Sequence, residues 1–288
     1  ARNGSSYLAL KLTDASGGIE ARKWDAGPAD IDSFSAGDIV RVEGTVTSDD
    51  YGTQLKVTAI RPVNSEDDYS LESLLPASPR PLEEMEAEFA AIREGIANPH
   101  LTALLDEIFA ADVNYRSFCE APAAKGVHHN YIHGLLEHTI AVCKITESLA
   151  GLYPEINRDL LVAGAILHDI GKTVEFKYTT AIDYSDPGRL LGHIVLGERI
   201  IAKAVSNLDS FPKELELQLL HLILAHHGEL EYGSPQLPQT LEAFFLHHAD
   251  NIDARANVFA QKRAATDEDW SEFDRVLSRF LYLKRAED

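Results

Sequence analysis

From Tyr7 apolar and polar residues alternate with a period of two, and from Leu82 the period lengthens to that of a helix. Tyr7 to Thr13 reads as a strand, Gly17-Gly18 as a turn, and Ile19 to Trp24 as the returning strand. Ile19, Ala21 and Lys23 share one face of that strand, and Glu20, Arg22 and Trp24 share the other. Ile39 to Val46 and Thr53 to Ile60 follow, joined through Asp49-Asp50-Tyr51-Gly52. Short strands at this spacing predict a small β-barrel. The chain opens at Ala1 and enters a strand almost at once, so a shortened or missing first strand, and a truncated start, are expected.

Residues 63–81 read as a linker, because Pro76, Pro79, Pro81 and the polar run Asn64 to Asp68 disfavour regular structure. Helical periodicity then predicts elements near 82–97, 100–110, 134–152, 158–170, 191–207, 212–227, 240–261 and 268–284, the last capped by Asp267-Glu268-Asp269. The expected fold is thus multidomain β + α, a small β-barrel over 1–62 followed by an all-α bundle over 82–288.

Several of these apolar helices end in ligand-type residues. Ala163 to Leu167 runs straight into His168-Asp169, and burying such a pair without partners costs roughly 2–7 kcal/mol for each polar group. A bound cation offsets that cost. Gly171 is expected to break the helix and leave the pair at a helix end. His138, His193, His226-His227 and Asp250 punctuate four further apolar runs, and all 12 histidines lie from His100 onward. Such clustering predicts a metal centre assembled from several helices. Imidazole mixed with carboxylate suits manganese, iron, nickel, cobalt or zinc, and no cysteine joins the set.

The order His138, His168-Asp169, His193, His226, Asp250 resembles the HD-domain metal-dependent phosphohydrolases, which are all-helical. Pro122-Ala123-Ala124-Lys125, His128-His129, Gly134 to Thr139 and His248 to Ala254 narrow the resemblance to the YhaM-type 3′→5′ exoribonucleases, over nearly the whole chain. That resemblance implies an N-terminal OB-fold and a C-terminal HD domain. It implies hydrolysis of single-stranded RNA, with single-stranded DNA open, to nucleoside monophosphates. His138, His168, Asp169 and Asp250 would hold one divalent ion, and Asp169 would bridge to a second held by His193 and His226, with His227 in reserve. The resemblance points to manganese; one or two ions, and iron, nickel, cobalt or magnesium, stay open. Lys172 becomes a phosphate contact beside catalytic Asp169, and Lys125, His128 and His129 are expected to grip RNA or, for His129, to protonate the leaving oxygen. His133 departs from the small residue expected before Gly134 and is expected to bear on the pocket rim.

Composition adds limits. The 288 residues suffice for two cores, and no apolar run reaches the ~18 residues of a membrane span. Cys119 and Cys143 are too few for a disulfide framework, so a cytoplasmic protein with reduced thiols is expected. A net charge of −20, and seven Lys/Arg against twelve Asp/Glu in residues 1–70, argue against tight RNA binding. Arg22, Lys23, Trp24 and Lys56 could still form a stacking and charge platform for single strands, the alternative being ordinary strand residues around an edge aromatic. Two other functions stand beside the exoribonuclease. One is a phosphohydrolase of small nucleotides or cyclic dinucleotides; the other is a non-catalytic nucleotide sensor.

Overall fold

The computed structural model describes residues 7–49, 52–69, 71–126, 129–178 and 181–284, which divide into two compact units. The first comprises Ala1–Ala77 with Tyr178–Ala181. Its strands are β1 (Tyr7–Asp14), β2 (Gly17–Trp24), β3 (Val40–Asp49) and β4 (Gly52–Pro62), with short helices α1 (Pro28–Ile31) and α2 (Leu71–Leu74). The sheet order is β1-β2-β4-β3, antiparallel except for the parallel β2–β4 pair. Asp14 pairs with Gly17, so the tight turn is Ala15-Ser16 and both glycines belong to β2 rather than to the turn expected there. The Asp14 carboxylate holds that turn by accepting from the Ser16 amide at 2.8 Å. Ala21, Val57 and Ile60 form the small core, flanked by Leu10, Leu12, Phe34, Val40, Val42 and Leu55.

The second unit spans Ser78–Lys177 and Ile182–Asp288. It contains α3 (Leu82–Glu94), α4 (Pro99–Phe109), α5 (Asp112–Glu120), α6 (Gly134–Leu152), α7 (Arg158–Leu167), α8 (Lys172–Glu175), α9 (Asp186–Ser206), α10 (Lys213–Ala225) and α11 (Leu241–Ala264). A two-residue hairpin, β5 (Phe176–Lys177) and β6 (Asp183–Tyr184), follows α8. The unit boundary falls between Ala77 and Ser78, inside the stretch read as linker. Ser78 is already anchored in the helical unit, its amide donating to the Ile132 carbonyl at 2.9 Å and its hydroxyl to Glu137 at 2.7 Å.

α7 lies at the centre, with every residue from Leu160 to Leu167 buried, and α6, α10 and α11 pack against it. An all-round apolar helix is the expected occupant of such a place. Side-chain caps fix the starts of the helices around it: Asn157 accepts from the Leu160 amide, Ser185 from Gly188 and Thr240 from Ala243. Among the described residues no helix is long and apolar enough to cross a membrane. Cys119 and Cys143 are free and buried.

The helix expected over 268–284 does not form. α11 ends at Ala264, and the chain folds back as a hairpin-like segment with Trp270 opposite Tyr282 and Asp274 opposite Arg279. Leu277, Leu281 and Leu283 bury against Val258 of α11. The Asp274 carboxylate accepts from the Leu277 amide at 2.8 Å, a local side-chain bond that competes with helix formation. The apolar spacing is helical in appearance, but it serves a tertiary contact.

Candidate metal centre

Five helices deliver the ligand-type residues to one point. α6 presents His138, the turn after α7 presents His168 and Asp169, α10 ends at His226-His227, and α11 carries Asp250. α9 is broken at Gly192, whose φ of 73° falls in the left-handed region that glycine tolerates, and His193 opens the helix beyond the break. Asp169 stands in the middle. Its Oδ2 lies 3.3 Å from His168 Nε2 and 3.6 Å from His138 Nε2. Its Oδ1 lies 3.5 Å from His193 Nε2 and 3.7 Å from His226 Nε2. On the Oδ2 side, His138 Nε2 is also 3.2 Å from His168 Nε2 and from Asp250 Oδ1. On the Oδ1 side, His193 Nε2 and His227 Nε2 are 3.2 Å apart. One carboxylate thus faces two nests of nitrogen and oxygen donors.

The outer ring nitrogens fix which way the imidazoles aim. Nδ1 of His168, His226 and His227 lies 2.7–2.8 Å from the carbonyl oxygens of Ala165, Ile223 and Tyr232. His138 Nδ1 lies 2.6 Å from Asp253 Oδ2, and His193 Nδ1 3.2 Å from Glu175 Oε1. Carbonyls and ionised carboxylates only accept, so Nδ1–H must donate, and a neutral ring then turns the bare Nε2 lone pair to the centre. Bare lone pairs 3.2 Å apart repel, and buried Asp169 Oδ1 and His226 Nε2 have no hydrogen-bond partner among the described residues. An unpaired buried polar group costs about 1–3 kcal/mol. Cations between the Nε2 atoms and the carboxylates remove the repulsion and pair the orphaned atoms, so this donor set fits two divalent ions.

Titration directions agree with that arrangement. Burial pushes the Asp169 carboxyl up, but Lys172 and His168 outweigh it and hold the group well below the usual carboxylate range. Burial, helped by His227 and His168, drives His226 well below an ordinary histidine, which keeps its Nε2 free to ligate. Burial also pushes His138 down, yet hydrogen bonds to Asp250 and Asp253 raise it to about 9. A proton and a divalent ion compete for that Nε2, and ion binding displaces the proton. Lys172 Nζ sits 2.6 Å from Asp169 Oδ2. A cavity of about 380 Å³ opens beside Asp169, Lys172, His227 and Asp250.

The HD domain family matches residues 135–255, and the OB-fold nucleic acid binding domain family matches residues 1–63. The 3′-5′ exoribonuclease YhaM of Bacillus subtilis is 38% identical over 258 residues, 90% of this chain and 81% of the relative. The chain belongs to the YhaM family of 3′→5′ exoribonucleases. The YhaM proteins of Bacillus velezensis (39% identity, 88% of this chain, 80% of the relative) and of a Geobacillus species (35%, 90% and 79%) are similarly related. No solved structure matches the chain significantly.

In this YhaM-family chain the structure brings together His138, His168, Asp169, His193, His226 and Asp250, and adds His227 as a full member of its nest. Other expectations are corrected. His168-Asp169 does lie at a helix end, since α7 stops at Leu167 and α8 starts at Lys172, but Gly171 has an ordinary right-handed backbone, with φ −63°. It is small because α9 crosses it: a Cβ there would stand 2.0 Å from the His193 carbonyl oxygen. His129 is buried, and both ring nitrogens are engaged, with Tyr131 Oη at 2.8 Å and Asp253 Oδ2 at 2.9 Å. It therefore supports the layer behind His138, and no nitrogen is left to protonate a leaving oxygen. Lys125 is engaged by Asp183 at 2.7 Å. His128 lies outside the described residues. His133 is buried on the Cys119 carbonyl at 2.7 Å, away from any rim role. In the first unit Lys23 turns to the core side and pairs with Asp30 at 3.1 Å, so it leaves the expected platform. Arg22 and Trp24 stay on the exposed face, where Trp24 packs on Tyr7 with ring centroids 5.0 Å apart.

Sequence reasoning gave Asp253 no role of its own, although it lies in the His248 to Ala254 motif. Its carboxylate takes bonds from His138 and His129 together, at a sequence separation of 115 and 124 residues. Glu137, next to His138 in the chain, accepts from the hydroxyls of Ser78 and Tyr131. Asp253→Asn keeps the shape and removes the charge that orients His138. Manganese affinity, followed by calorimetric titration, should fall roughly 10–100-fold. An unchanged affinity would reduce Asp253 to a packing residue.

Proposed function

We propose that this chain is a metal-dependent 3′→5′ exoribonuclease that cuts single-stranded RNA into nucleoside 5′-monophosphates. The observation that carries the reading is the Asp169 carboxylate, set between two nests of inward-facing imidazoles. His138, His168, Asp169 and Asp250 would hold one ion, and Asp169, His193, His226 and His227 the other. The mixed imidazole and carboxylate donors accept manganese, iron, cobalt, nickel or zinc, and manganese is the ion on this reading. Two such ions supply Lewis acidity, lowering the pKa of water and balancing charge on the phosphoryl oxygens.

The residues do the positioning. Asp169 stays ionised inside the protein because Lys172 and His168 face it, so a full negative charge is held at the shared position. Lys172 Nζ, buried beside that carboxylate and lining the cavity, is placed to donate to a phosphoryl oxygen as charge gathers there. Glu175, Asp253 and three backbone carbonyls keep the imidazoles from rotating. In the hydrolysis a water oxygen bonds to phosphorus and the bond from phosphorus to the upstream O3′ breaks. The electron pair leaves with O3′, which takes a proton. Arg22, Trp24 and Tyr7, with Lys56 across the parallel pair from Arg22, would give the first unit a stacking and charge face for single strands. Single-stranded DNA offers the same phosphates and bases and is a second substrate on this reading. Two buried free thiols and an RNA substrate suit the cytoplasm.

The test is hydrolysis of a 5′-labelled single-stranded RNA with manganese, with and without chelator, beside the matching DNA. A metal-dependent ladder that shortens from the 3′ end supports the reading. Intact RNA beside cleaved mononucleotides or cyclic dinucleotides contradicts it.

A further inference from the structure

The cavity beside the metal centre has a wall that the ligands do not explain. Its floor is Asp169, Lys172, His227 and Asp250, but its far side is Val276 and Leu277, from the tip of the C-terminal hairpin. Several bonds hold that tip in place. Asp274 and Arg279 exchange backbone hydrogen bonds at 2.9 and 3.2 Å, Lys262 of α11 pairs with Asp274 at 3.3 Å, and Leu277 is buried against Val258. Val276 remains exposed. Next to the apolar wall, α11 presents Asn251 and Arg255 one turn apart, on the face that carries Asp250. Asn251 turns its Nδ2 toward His247, which leaves Oδ1 as an acceptor for a hydroxyl. Arg255 makes no ion pair with any described residue, although Asp and Glu outnumber Lys and Arg by 46 to 26. What singles out Arg255 is its place: an exposed, unpaired guanidinium lining the cavity beside Asp169, Lys172 and Asp250, where it can hold a phosphate by charge-assisted hydrogen bonds.

A space of about 380 Å³ is at the lower end of small-molecule sites, which run from about 300 to 1,000 Å³. It takes one nucleotide rather than two. Phosphate-binding groups, an apolar wall and a hydroxyl acceptor supply a partner for each part of a nucleotide. We propose that this cavity seats the 3′-terminal nucleoside of the substrate, with Val276 and Leu277 as its base wall and Arg255 as the guanidinium that holds the backbone phosphate entering it. The proposal rests on the exoribonuclease reading and extends it: the C-terminal hairpin sets the size of the product.

Steady-state kinetics of the manganese-loaded 288-residue chain test it with two substrates. One is a 5′-labelled single-stranded RNA. The other is bis(4-nitrophenyl) phosphate, a diester that needs the metal centre but has no sugar or second phosphate. Arg255→Gln should raise KM for RNA about tenfold and leave kcat within about twofold. It should flatten the slope of log KM against log salt by about 0.7, the loss of one phosphate contact on a single strand. Cleavage of the small diester should not change. Val276→Asp, at an exposed position that tolerates a polar residue, should also raise KM for RNA alone. The proposal is overturned if the salt slope and KM of Arg255→Gln match the wild type, or if both substrates lose activity equally. Wild-type protein that cleaves the small diester but not RNA sinks the exoribonuclease reading, and this proposal with it.

Discussion

Asp169→Asn is expected to lower the hydrolysis rate on RNA by about 10³-fold or more, the scale of losing a principal electrostatic element of an active site. The substitution keeps size and shape, so it isolates charge. Oδ2 and Oδ1 face opposite nests, and an amide replaces one of them with an N–H donor. Both nests then lose the anion they share, and Lys172 loses its counter-charge at 2.6 Å. The gel assay in manganese gives the rate, and circular dichroism shows whether the helices persist. A folded variant retaining activity within tenfold of wild type would remove Asp169 from the centre of the mechanism.

Gly171→Ala should have the next largest effect, by a different route. The backbone at Gly171 would accept alanine, since its φ is −63°. The obstacle is α9: the new Cβ would lie 2.0 Å from the His193 carbonyl oxygen and 2.6 Å from the Gly197 nitrogen. Both are backbone atoms that cannot rotate away, so the helix itself must move. Overpacking of this kind costs about 1–3 kcal/mol, occasionally more. In a unit of this size each kcal/mol lowers the melting temperature by roughly 2–4 °C. The same shift carries His193 away from Asp169, and a displacement of about 1 Å can cost about 10²-fold in rate. Gly151→Ala in α6, where nothing stands within 4 Å, is the control and should be neutral or stabilising. Equal melting temperatures for the two variants would contradict the close-approach account.

The candidate ligands were legible because each interrupts an apolar helix, and such interruptions are costly without a partner. His168-Asp169 after Leu167 and Asp250 within α11 needed no tertiary information. The layer behind them was not legible, since Asp253 meets His138 and His129 only through folding, and no local pattern pairs residues more than a hundred positions apart. His129 looked like a loop histidine for the same reason. Gly171 was visible but misread, because sequence shows that a residue is small without showing what crosses it. The strand alternation had placed Lys23 with Ile19 and Ala21, and the structure follows it; grouping Lys23 with Trp24 ignored that parity. The segment 268–284 failed because leucines spaced for a helix were serving a hairpin that packs on α11. Arg255 and Val276 carried no signal before the cavity brought them together, and Asn251 entered only as part of the His248 to Ala254 motif.

The most direct measurement of the central claim is the number of ions held per chain. The 288-residue chain, equilibrated with manganese and freed of excess, is assayed for metal by inductively coupled plasma mass spectrometry against protein concentration. Two ions per chain are predicted, falling to one when His193→Ala and His227→Ala are combined, because the nest of His138, His168 and Asp250 stays intact. A single ion in the wild type, or two that survive the loss of both histidines, would contradict a centre in which Asp169 joins two sites.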